Sequence, residues 1–153
     1  NYWLNPVVRK LRCNPRLEPV SAFEIQCLRK KQQMMQKRLV IEMGMGVDQH
    51  GQDPTVAAAR AVRNAIAHNA LPGVWEVAGL EHPSEMLVAV QVAVPFPETV
   101  RQDEVLAVLP FGHKTLTLES GGMVVPGKAI PELNDKNDDM YVAIAAVTVS
   151  IPE

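Results

Sequence analysis

The chain has 153 residues, 47% hydrophobic content and two cysteines, which suits one water-soluble globular domain and excludes a disordered or disulfide-scaffolded chain. Its formal net charge of −2 hides a division: residues 1–38 hold nine Lys/Arg and two Glu, a balance of +7, while residues 39–153 hold six Lys/Arg and fifteen Asp/Glu, a balance of −9. No apolar run is long enough to span a bilayer as a helix, and Cys13 and Cys27 lack the second pair that a zinc site needs.

The chain opens with Pro6, Pro15 and Pro19 and an apolar cluster of Tyr2, Trp3, Leu4, Val7 and Val8, the pattern of an extended arm with an apolar anchor. Ser21 followed by Glu24 has the spacing of a capping box and predicts a helix from Ala22 to about Gln36. Its apolar residues Phe23, Ile25, Leu28, Met34 and Met35 lie beside Arg29, Lys30 and Lys31. Residues 1–36 thus read as a basic N-terminal extension, either a solvated basic face or a partner-docking element that makes contact through Tyr2, Trp3, Phe23, Leu28, Arg29, Lys30 and Lys31. A larger protein complex is the expected partner. Nucleic acid is disfavoured, because the rest of the chain is acidic and no aromatic residues interleave with the basic ones.

A single α+β domain is expected over residues 37–153, organised around Arg38 to Asp53. Leu39, Val40 and Ile41 form a β-prone run that continues past Glu42 to Met43, so a strand buried on at least one face is expected. Gly44, Gly46 and Gly51 frame Asp48 and His50 and are read as residues of a turn, at least one at a positive φ. Asp53 before Pro54 is a helix start signal. The pattern Gly44-x-Gly46-x-Asp48-x-His50-Gly51 resembles the hallmark of a small family of conserved hypothetical proteins found in bacteria, cyanobacteria and, behind a long prefix, plants. The resemblance covers roughly Lys37 to Glu153. It carries no activity, but draws attention to Asp48 and His50 and implies that residues 1–36 are a lineage-specific prefix. An intracellular, reducing location follows from the cysteine usage: a plastid in a plant or algal source, the cytoplasm otherwise.

Downstream, a helix is expected over Pro54 to His68, with Val56, Ala59, Val62 and Ile66 on its buried stripe, then strands at Val74 to Leu80 and Met86 to Pro95. A second helix follows at Arg101 to Leu109, then strands at Lys114 to Glu119, Met123 to Val125 and Met140 to Ile151, with a polar loop at Asn134 to Asp139. The order favours a β-α-β-β-α-β ferredoxin-like sandwich with an additional C-terminal strand, preceded by the basic arm and helix.

Two function classes follow. In one, the protein is an accessory or structural subunit that docks through its arm on a larger assembly. In the other, it is a small-molecule enzyme in which Asp48 orients His50 as an acid-base pair, at a cleft between subunits of a homo-oligomer. The structural alternative is that Asp48 caps local amides and His50 fastens the turn. A metal shell from Asp48, His50 and either His82 or Asp53 is incomplete by spacing alone, and no cofactor is indicated. The glycine pair lacks the third glycine of a dinucleotide fingerprint, and Ser120-Gly121-Gly122 reads as a hairpin rather than a nucleophile turn.

Overall fold

The computed structural model describes residues 36–152; the arm, its expected helix, both cysteines and the contact residues Tyr2, Trp3, Phe23, Leu28, Arg29, Lys30 and Lys31 lie outside the described residues. The fold is α+β. Strand β1 (Gln36–Asp48) leads into helix α1 (Pro54–Ile66), a one-turn helix α2 (Gly73–Glu76) and strand β2 (Leu87–Val94). A five-residue helix α3 (Gln102–Leu106), strand β3 (His113–Ser120), the short strand β4 (Met123–Pro126) and the long strand β5 (Asp139–Pro152) complete it.

The sheet runs β1-β5-β2-β3, with β4 pairing the start of β5. Strand β5 is antiparallel to both β1 and β2, so α1 carries the chain over β5 between two parallel strands, the split β-α-β arrangement of ferredoxin-like folds. Strands β2 and β3 are parallel neighbours joined through α3. The two helices expected from the sequence back one face of the sheet.

One expected strand is absent. Val74 to Leu80 forms the helical turn α2 and a loop, because Pro72 opens a helical turn whose Trp75 and Glu76 amides donate to the Pro72 carbonyl. Gly79, at φ +69°, then turns the chain so that the Leu80 amide donates to the Val74 carbonyl. Burial of Val74 in the core outweighs the β propensity of the segment.

Helix α1 starts as its sequence dictates: the Asp53 side chain accepts from the Thr55 amide, and Pro54 stands in the first turn. Its buried stripe is Ala57, Ala58, Ala61, Val62 and Ala65 rather than the Val56, Ala59, Val62 and Ile66 set expected from periodicity. The reason lies in β1. Gly44 and Gly46 do not turn the chain; both lie inside the strand, beneath α1, and a Cβ on Gly44 would collide with the Ala61 and Ala65 backbone, one on Gly46 with the Ala57 and Ala61 backbone. Small residues on both elements bring the helix backbone against the strand.

That packing inverts β1. Its core-facing side is Glu42, Gly44, Gly46 and Asp48, all buried, and its apolar side faces away from the helices, with Ile41 54%, Met43 65% and Met45 58% exposed. Register places Met43 beside Ala146, and Met45 beside the exposed Ile144, on β5. Met123 of β4, also exposed, pairs with Val142 along the same side. Among the described residues, no element covers this apolar face.

Candidate functional site

The loop from β1 to α1 gathers most of the buried polar chemistry. Asp48, the last residue of β1, is buried; its Oδ2 accepts from the Asp53 amide at 2.9 Å and its Oδ1 from Arg60 at 3.0 Å. The same Arg60 nitrogen donates to the Val47 carbonyl. Asp48 therefore ties the strand end to the helix start and to the second turn of α1, with both carboxylate oxygens engaged.

His50 does not meet Asp48. Its Nδ1 donates to Asp135 Oδ2 at 2.9 Å, across 85 residues of sequence, and the His50 side chain is partly exposed while that of Asp135 is buried. Asp135 also accepts from the Gly51 amide at 2.8 Å, the Gln52 side chain at 3.1 Å and the Ile130 amide at 2.8 Å. The His50 hydrogen bond, followed by the Ile130 amide, holds the Asp135 carboxyl well below the usual carboxylate range despite the opposing cost of burial. Gln52 completes the clasp. Buried and at φ +47°, it donates to the Asp139 carbonyl at 2.9 Å and accepts from the Lys136 amide at 2.6 Å.

Gly51, at φ +89°, is the member of the glycine set that does turn the chain. Asp53 faces the other way, paired with Arg101 at 2.8 Å, while the Arg101 amide donates to the Thr55 hydroxyl. Burial raises the Asp53 carboxyl, but bonds from Arg101 and Thr55 outweigh it and leave the group below its ordinary value. An open concavity of about 390 Å³ beside this loop is lined by Gln52, Asp53, Phe96, Arg101, Lys136 and Tyr141. His50 is not among its lining residues.

The sequence-derived pair is thus divided between two networks, and Asp135 and Gln52, the residues that organise the loop, carry no local signal. The Asn134 to Asp139 loop is legible as polar, but not its partner 85 positions earlier. Among the described residues, no three His, Cys, Asp or Glu side chains group as a metal site, and His82 starts the 3-10 turn Pro83–Glu85, its amide bonded to Glu85. The Ser120 segment is a strand connection in which Gly122 has φ +70°.

The chain belongs to the conserved hypothetical protein family Lin0512, whose model matches residues 38–149. Among solved structures it is similar to an FtsZ-like protein of unknown function from Nostoc punctiforme PCC 73102, with 78% identity and a TM-score of 0.72, over 77% of this chain and 98% of that one. No curated protein matches.

Proposed function

We propose that this Lin0512-family protein is a self-associating assembly subunit: a second copy covers the open face of its sheet, and the basic extension docks the assembly on an acidic protein partner. The observation that carries the reading is the inverted strand β1, which turns glycines and acids inward and Ile41, Met43 and Met45 outward. A contiguous apolar face marks an interaction surface, since covering the exposed half or more of each large side chain is worth about 1–2 kcal/mol. Two such faces stack as a sandwich about 10 Å apart.

A second copy fits better than the chain's own arm. The family match begins at residue 38, and the Nostoc protein is matched over 98% of its length while accounting for 77% of this chain. A partner common to both chains is one made of the domain itself. The extension, with seven Lys/Arg and two Glu over residues 1–36, a balance of +5, supplies the charge for the acidic partner.

The enzyme reading has less support. Asp48 and His50 make separate contacts, and Asp135 is engaged by two backbone amides besides His50, which favours fastening of the loop over proton transfer. The test is the native mass of the full chain, alone and as Met43→Glu combined with Ile144→Glu. The wild type should run as a multiple of the chain mass and the variant as a folded monomer, because both positions are exposed in the isolated chain. A monomeric wild type, or a variant of unchanged mass, overturns the proposal.

A further inference from the structure

On the helix side of the sheet lies a second concavity, of about 350 Å³, walled mainly by apolar side chains. Val88 and Val147 supply part of its sheet wall, Leu109 and Phe111 a wall from the α3–β3 connection, and Trp75 of α2 another. Glu42 also lines it. This glutamate is 5% exposed, and the ion pairs and side-chain hydrogen bonds among the described residues involve other groups. Among the described residues no buried side-chain oxygen sealed from solvent lacks a partner, and Glu42 is the acidic residue in the lining of this cavity.

The sequence puts Glu42 there for a structural reason. The side of β1 that bears Gly44 and Gly46 must face α1, so the residue two positions earlier faces the same way. There α1 is ending, and its last residue Ile66, with Asn69 and Leu71 beyond it, borders the cavity. A carboxylate in apolar surroundings costs several kcal/mol unless a cation or hydrogen-bond donors meet it. Trp75 and Phe111, both half-exposed at the wall, offer aromatic faces that also favour a cation.

We propose that this cavity binds a small organic ammonium compound with an apolar body, its amine paired with Glu42 and its body against Trp75, Phe111 and the sheet valines. The volume lies at the small end of the range for ligand sites. The site lies on the face opposite the proposed self-association surface and stands independently of that reading.

Calorimetric titration of the full chain with benzylammonium, benzyl alcohol and benzoate at neutral pH tests it, with Trp75 fluorescence as a second signal. Benzylammonium should bind saturably, at least about tenfold more tightly than the isosteric alcohol, and benzoate should not bind. Glu42→Gln keeps the side-chain size and should abolish the preference for the amine while leaving any weak binding of the alcohol. If that variant does not fold, the ranking of the three probes on the wild type decides alone. No saturable binding of the amine, equal binding of amine and alcohol, or an unchanged preference in folded Glu42→Gln overturns the proposal.

Discussion

Gly46→Ala is the sharpest perturbation of the helix–sheet contact that orients the whole domain. A methyl group there would stand 2.8 Å from the Arg60 carbonyl carbon and closer still to the Ala57 oxygen and Ala61 nitrogen. Carbon atoms pack at about 3.5–4.0 Å, so α1 must retreat by roughly 1 Å. The obstructing atoms are helix backbone, which no side-chain rotation relieves. A gap of that size forfeits about a quarter to a half of the dispersion attraction across the contact, and the contact carries Ala57, Ala58, Ala61, Val62 and Ala65, all buried. Overpacking a core costs about 1–3 kcal/mol; with rigid backbone on both sides the upper end applies, about 3 kcal/mol, against a total stability of about 5–15 kcal/mol. Urea unfolding measures it directly, with Gly73→Ala as the control, since a Cβ at Gly73 meets nothing within 4 Å. A Gly46→Ala cost below about 1 kcal/mol, or one equal to that of Gly73→Ala, would refute the close-approach account.

Asp48→Ala should destabilise the domain by about 1–3 kcal/mol in the same assay, because it strands the Asp53 amide and releases Arg60. His50→Ala should raise amide hydrogen exchange at residues 50–53 and 130–136 together, as expected of a clasp; unchanged exchange in the second segment would detach His50 from it. Asp135 is held below its unfolded value, so its stabilising contribution is present above the unfolded carboxylate pKa of about 3.9 and is lost as pH falls through the lower folded value. The stability gap between wild type and Asp135→Asn should therefore be widest at neutral pH and close on acidification below about pH 4, as followed by thermal melts at a series of pH values. Deleting residues 1–36 should leave a folded domain that still self-associates but no longer captures an acidic partner, with circular dichroism and native mass as the readouts.

The α+β class and most strand positions were legible because near-continuous apolar runs such as Leu87–Val94 and the proline and glycine breaks between them are local signals. The Asp53–Pro54 start of α1 was legible for the same reason. What was not legible depends on partners distant in sequence. Leu39, Ile41, Met43 and Met45 alternate as a core face does, yet the glycines between them must face α1, so the helix decides which side is inside. Likewise, nothing near His50 announces Asp135, and nothing within Val74–Leu80 reveals that Val74 is needed in the core.

The central claim is that the outward face of β1 is covered by a second copy, and methionine oxidation reads that face residue by residue. In the native full chain at high concentration, Met43 and Met45 should react with hydrogen peroxide nearly as slowly as the buried Met86, and dilution should release them. If Met43 and Met45 oxidise at the rate of the urea-unfolded chain at every concentration while Met86 stays protected, the face is open to solvent and the self-association account is contradicted.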